Sequence, residues 1–336
     1  MAFIHVKRVG DKEYYTLRIS VRKGNKVITK DLENLGDDLS KIDIDELEKK
    51  HKKEIRKSYH SIKRFLDSNY YVKKAKEKKY KKDEFLSKEQ QIELEAIYNH
   101  YKKVFLKVDE QTKEEALENH LLNFAVNSTS IEGNTITLKE AHKLFTEDIL
   151  PKNRTLREVY DLKNTKKVAL FLRKKNPSLT VNLIIKIHDS LLENIDKRKG
   201  LRNHDIRIRG QPFKPSPARY VRADLELLLE WYKRNKSILH PLVLVTLFHH
   251  KFEKIHPFSD GNGRTGRILM NHILFTLKCP PLVISRRFRS EYLEQMNNAD
   301  RCIEKSLISQ DADCYKKLIE FIHSQYISSY WDTFLL

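Results

Sequence analysis

The stretch Ile255-His256-Pro257-Phe258-Ser259-Asp260-Gly261-Asn262-Gly263-Arg264-Thr265-Gly266-Arg267-Ile268-Leu269-Met270-Asn271 decides the reading of this 336-residue chain. It predicts a loop feeding a helix. Pro257 disfavours helical backbone at His256, two glycines flank Asn262, and Ile268, Leu269, Ile273, Phe275 and Leu277 recur at helical spacing. A helix amino terminus carries unsatisfied N–H donors and a partial positive charge, and a Gly-Asn-Gly turn lets amides form a concave nest, so phosphate is the natural ligand. Arg264 and Arg267 stand three residues apart in the first turn, unfavourable to the helix dipole but on one face and able to reach one anion. Asp260 is a hard carboxylate beside the nest, of the kind that holds Mg2+ together with nucleotide phosphates. His256 is the one nearby group that ordinarily titrates near neutral pH, suited to take a proton from an attacking hydroxyl. Phe258, alternating with both, is expected to point into the core. Taken singly, His256 reads as a structural histidine, Asp260 as a turn residue and the arginines as a solvated face; the whole run points to nucleotide chemistry. It is not a P-loop, since no Gly-Lys-Ser/Thr follows.

At every specified position the run resembles the signature of the Fic family, His-x-Phe-x-Asp/Glu-Gly-Asn-Gly-Arg-x-x-Arg. The resemblance implies transfer of AMP from ATP to a protein Ser, Thr or Tyr hydroxyl on a helical core. It implies His256 as base, Asp260 as Mg2+ ligand, Gly261, Asn262 and Gly263 as anion hole, and Arg264 and Arg267 as phosphate-binding residues. Upstream, Ser128-Thr129-Ser130-Ile131-Glu132-Gly133 resembles the family's inhibitory motif, Ser/Thr-x-x-x-Glu-Gly/Asn, at Ser128, Glu132 and Gly133. Its position before the core resembles the family's second class, which implies an inhibitory helix over about 113–133 whose Glu132 pairs with Arg267. Residues 200–217 alternate like a short hairpin with a Pro-rich exit and resemble the family's flap, whose strand edge, here Ile206, Arg207 and Ile208, would hold a target segment by main-chain bonds. A plain connecting hairpin accounts equally well for that local sequence. After the signature, Tyr292 matches an aromatic that relatives place near adenine, while Asp300 stands where they carry asparagine. The resemblance covers roughly residues 111 to 329.

Around this core the chain carries 65 Lys and Arg against 46 Asp and Glu, a formal charge of +19 that favours acidic partners without deciding the fold. Residues 1–36 alternate as strands around Gly24-Asn25 and predict a basic N-terminal β-hairpin or three-stranded sheet, favoured as a packing appendage. Residues 37–110 read as a basic helical region ending its first half in the lysine run 73–82, usually a solvated face; nucleic-acid binding by this run is the less favoured alternative. Residues 111–336 are expected to form the Fic domain. Capping boxes at Ser87/Gln90, Thr112/Glu115, Thr137/Glu140 and Thr155/Glu158 predict successive helix starts, and Thr180 another. Three cysteines, an odd number without metal spacing, argue for a reducing cytoplasm, and no apolar run reaches membrane-spanning length. The fold class expected is all-α, a Fic-type core with a β-hairpin flap and an N-terminal β-hairpin. The partners expected are ATP as substrate, Mg2+ and a target protein; self-modification and a homodimer stay open. The alternatives are removal of AMP from a modified protein, with Glu132 positioning water, phosphoryl transfer, disfavoured by Gly263-Arg264 and Arg267, and a basic nucleic-acid binder with a vestigial site.

Overall fold

The structure, a computed structural model, describes residues 1–207 and 214–335. The chain divides into two units: Met1–Lys82 with Lys88–Val108 and Trp331–Leu336, and Asp83–Ser87 with Asp109–Tyr330. In the first, β1 (Ala2–Val9), β2 (Lys12–Lys23) and β3 (Lys26–Gly36) form an antiparallel sheet in that order. Alternation sends Ala2, Ile4, Tyr15 and Leu17 to one face. That face packs against Leu47 and Ile55 of α1 (Ile44–Ile55) and Ile62 and Leu66 of α2 (Tyr59–Lys76). Ile92 and Ala96 of α3 (Lys88–Lys103) pack on Ala75. The lysine run leaves the helix at Lys76; Tyr80 donates its hydroxyl to the Ala75 carbonyl at 2.8 Å and turns the chain across the helix end. A cavity of about 660 Å3 lies beside the β1–β2 turn, with Arg8, Lys12, Lys73 and Lys76 set against Asp11, Glu13 and Asp37, and none of the signature residues line it.

The second unit is helical: α4 (Glu110–Ile131), α5 (Leu138–Thr146), α6 (Leu156–Lys175), α7 (Val181–Leu191), α8 (Val221–Asn235), α9 (Pro241–Ile255), α10 (Asn262–Thr276), α11 (Arg289–Asn298) and α12 (Ala312–Thr333), the last three residues of which fall in the first unit. Thr137 with Glu140 and Thr155 with Glu158 form the expected capping boxes, and Thr180 caps α7. Thr112 does not cap α4. Asp109 does, its carboxylate accepting the Thr112 amide at 2.9 Å, so the helix starts three residues earlier than the Thr112 box predicts. α10 packs against α4, α6, α7 and α9. It can approach α9 closely because residue 266 is glycine: a Cβ there would come within 2.6 Å of His249 Nδ1 and 2.7 Å of Glu253 Oε1.

The described parts of the expected flap, 200–207 and 214–217, carry no strand; Ile206 and Arg207 are irregular, and Ile208 lies outside the described residues. Among the described residues no helix is long and apolar enough to cross a membrane. Cys302 and Cys314 pair as a disulfide, and Cys279 is buried outside that pair, so the cysteine count no longer argues for a reducing compartment.

Candidate active site

α9 ends at His256, whose left-handed backbone (φ 49°) reverses the chain into the signature loop, and α10 begins at Asn262 after Gly261 (φ 80°). Such a turn is cheap at glycine and strained at histidine, and two clamps hold it. Asn262 bridges the loop, accepting from the Phe258 amide at 2.9 Å and donating to the Phe258 carbonyl at 2.8 Å. Its side chain therefore shapes the nest and does not face a ligand. Phe258 is fully buried as expected, its ring stacked 3.7 Å from that of His188.

Arg202 is the second clamp, which the sequence did not reveal. Buried, it donates from Nε to the His256 carbonyl at 2.8 Å, from Nη2 to the carbonyls of Ile255 at 3.3 Å and Ser216, and from Nη1 to His204 at 3.0 Å. Its own amide donates to the Pro257 carbonyl at 3.0 Å. A planar five-donor fork is what this set of carbonyls requires. Arg202→Lys keeps the charge and loses the fork; loss of charge-assisted bonds to buried carbonyls is expected to cost about 1.5–3 kcal/mol. Urea unfolding checks this, and an unchanged midpoint would remove Arg202 from any clamping role.

His256 Nδ1 lies 3.2 Å from the Glu253 carbonyl. A carbonyl only accepts, so Nδ1 carries the proton and Nε2 keeps its lone pair. Burial lowers the imidazole pKa to about 4; the Glu253 carbonyl opposes this, and the charges of Arg202 and Lys254 reinforce it. His256 is thus a neutral base at pH 7. In the cavity that it lines with His256, burial moves Glu253 to about 7; its Oε1 has no hydrogen-bond partner and its carboxyl feels Arg267 as a lowering influence. Sequence alone counted His256 as the only group titrating near neutrality; the structure exchanges the two.

The two signature arginines do not converge. Arg264 is tied to Asp161 of α6 and, at 3.2 Å, to Asp260. Arg267 is buried, donating from Nε to Ser128 Oγ at 3.1 Å, and from Nη2 to the Ser128 carbonyl at 2.8 Å and Glu132 Oε1 at 2.7 Å. Burial works against its charge, but Glu132 together with Tyr292 and Glu253 outweighs this and raises its pKa. Glu132 caps the carboxyl end of α4, where a carboxylate opposes the helix dipole; the Arg267 pair supplies the compensation. Its carboxylate lies against the first turn of α10, so that a Cβ on Gly263 would run into Oε1.

Asp260 is held by Arg157 at 2.7 Å and by its own loop's Gly261 amide at 2.6 Å. A single half-exposed carboxylate suits Mg2+, which usually takes one or two carboxylates and completes its shell with phosphate and water. Among the described residues no cluster of three or more His, Cys, Asp or Glu could by itself hold a metal.

A cavity of about 240 Å3 joins these groups, lined by Glu132, Glu253, His256, Asp260 to Gly263 and Arg267 and closed by Tyr292, Leu293, Met296 and Asn297. Tyr292 is buried, bonded to His249 Nε2 at 2.5 Å and 6.0 Å from the Arg267 guanidinium. Asp300 is not among the lining residues; it pairs with Lys254 at 2.6 Å and His250 at 3.2 Å. Asn297, one turn beyond Leu293, lines the cavity instead. The helical spacing of Tyr292, Leu293, Met296 and Asn297 was the available signal.

The sequence profile of the Fic/DOC family matches residues 178–274. A protein adenylyltransferase Fic from Nematostella vectensis is 32% identical over 199 residues, 58% of this chain and 47% of that protein. One from Drosophila melanogaster is 30% identical over 207 residues, 58% of this chain and 40% of that one, so the chain spans less than half the length of either relative. Among solved structures, a Fic-domain-containing signaling protein from Bacteroides thetaiotaomicron aligns with TM-score 0.65 at 22% identity, over 70% of this chain and 94% of that one. A Fic family protein from Desulfovibrio desulfuricans aligns with TM-score 0.55 at 22% identity over 75% of each. With its signature loop, its helical fold and these matches in agreement, residues 178–274 of the chain match the Fic/DOC family.

Proposed function

We propose that the protein is an adenylyltransferase that moves AMP from Mg-ATP to a Ser, Thr or Tyr hydroxyl of a target protein and is held in check by Glu132. The observation that carries the proposal is the Glu132–Arg267 pair lying over Gly263 at the amino end of α10, lining the same cavity as His256. In this reading the acceptor oxygen attacks the α-phosphorus and pyrophosphate leaves. Nε2 of His256 takes the hydroxyl proton. The Gly261–Gly263 amides face the developing charge, and Arg264 and Arg267 hold phosphate oxygens, Arg267 at the γ position. Mg2+ bound at Asp260 would supply charge neutralisation between phosphates. Tyr292 belongs to the nucleotide site, and Ser128 to the inhibitory contact as the second partner of Arg267.

The domain division 1–36, 37–110 and 111–336, the flap residues Ile206, Arg207 and Ile208, self-modification and a homodimer belong to the same proposal. So does a cytoplasmic site of action, against which the Cys302–Cys314 pair counts. The test is protein labelling by Glu132→Gly enzyme from α-labelled and γ-labelled ATP: label from the α position alone is expected, and label from the γ position would replace AMP transfer by phosphoryl transfer. The half-exposed Glu132 carboxylate also supports removal of AMP from a modified protein, with Glu132 positioning water; AMP release by wild type, lost in Glu132→Gly, is the mark of that activity.

A further inference from the structure

The excess positive charge is not evenly spread. Residues 1–82 hold 24 lysines and arginines against 13 aspartates and glutamates, a net +11 of the chain's +19. Within the first unit, carboxylates on or beside the sheet have partners: Glu13 with Arg8, Asp31 with Arg18, Glu33 with Lys50 and His51, Asp37 with Lys12. Among the described residues Lys7, Arg22, Lys23, Lys26 and Lys30 have no ion-pair partner. Three of these five, Arg22, Lys23 and Lys26, flank the β2–β3 turn at Gly24-Asn25; by register Arg22 shares the face of Arg18, while Lys23, Lys26 and Lys30 share that of Leu17 and Ile19.

The sheet has one covered and one open face. With Ala2, Ile4, Tyr15 and Leu17 turned to the helices, strand alternation and register put Phe3, His5 and Lys7 of β1 opposite Arg18, Thr16 and Tyr14 of β2 on the other face. Directly opposed side chains sit about 5 Å apart, which interleaves three rings with two cations. Phe3 and Tyr14 are 37% and 36% exposed, so part of each ring faces solvent. The single acid on this face, Asp31, is already held by Arg18 at 2.6 Å.

We propose that this open face binds single-stranded nucleic acid: the rings of Phe3, His5 and Tyr14 stack on bases while Lys7 and Arg22, the cations of the same face without an ion-pair partner, follow the phosphates. Exposed rings select an unpaired strand because only unpaired bases offer their π-faces to a sheet. An acidic protein segment would satisfy the cations and leave the rings without a purpose. Nothing in this proposal depends on the chemistry assigned to the signature.

The experiment titrates the full chain into a fluorescein-labelled oligothymidylate, an oligouridylate and a duplex of equal length, reading anisotropy at several salt concentrations. The single strands are expected to bind more tightly than the duplex, with log K falling on log salt with a slope of about −1.4 when Lys7 and Arg22 engage phosphate. Lys7→Ala with Arg22→Ala should remove most of that slope. Tyr14→Ala should weaken binding at least about fivefold without altering the slope. AMP incorporation by the same variants in a Glu132→Gly background serves as the folding control. Preference for the duplex, equal competition by polyglutamate, equal affinity for anionic vesicles, or insensitivity to Tyr14→Ala would each overturn the proposal.

Discussion

In a Glu132→Gly background, His256→Ala is expected to lower AMP incorporation by about 100- to 10,000-fold. The expectation rests on tautomer and charge. With Nδ1 committed to the Glu253 carbonyl, Nε2 is the nitrogen left to accept, and burial keeps it unprotonated until about pH 4. Because the pKa is lowered, the base form persists through neutral and mildly acid pH. The rate limb belonging to His256 should therefore appear only as pH falls through about 4, not through its ordinary 6.5. Removing Glu132 takes away an anion that raises this pKa, so the limb can only move lower. Glu253→Gln measured in parallel removes the carboxyl that burial moves to about 7. Initial rates of incorporation from α-labelled ATP decide the matter: turnover near that of the parent in His256→Ala, or a His256 limb near 6.5, would sink the neutral-base assignment.

Glu132→Gly itself should raise AMP incorporation from a nearly silent wild type. Glu132 and a γ-phosphate compete for one guanidinium, and Glu132 holds it at 2.7 Å with Ser128 closing the other side. A hydrogen bond to a charged group is worth about 1.5–3 kcal/mol net, a population shift of about 10- to 150-fold. Misalignment of the α-phosphate while the anchor is occupied costs additional rate. Arg267→Ala should not reproduce the gain, because it removes the phosphate anchor together with the inhibitor's partner. Equal initial rates for wild type and Glu132→Gly would discard the inhibitory role. A gain surviving His256→Ala would locate it elsewhere.

The sequence disclosed the parts of the site that are contiguous along the chain. The loop, the start of α10 and the burial of Phe258 follow from neighbouring residues, since proline, glycine and alternation act locally. The partner of Arg267, 135 residues away, was legible only through the resemblance of the Ser128–Gly133 stretch. What escaped has no local mark. Arg202 precedes the loop by more than fifty residues, and nothing nearby says that its fork meets carbonyls instead of solvent. Asp161 and Arg157, which hold Arg264 and Asp260, read as ordinary helical charges until α6 packs on α10. Glu253 and His256 exchanged their titration ranges because burial, a tertiary quantity, moves carboxylates up and imidazoles down. The cap of α4 shows a purely local miss: Asp109 and Thr112 both offered an oxygen, and the earlier one took the amide.

Glu132 stands at the carboxyl end of a helix, and that location has a thermodynamic corollary. If nucleotide and Glu132 exclude each other at Arg267, linkage requires that saturating ATP destabilise the last turn of α4 by the same factor by which that turn weakens the productive ATP complex. Helix ends open with the smallest free energies in a protein, so the threshold for activation is set by a local unfolding equilibrium and not by the strength of the site. Anything that melts that turn, whether a bound partner or a few degrees of warming, is then converted into catalysis.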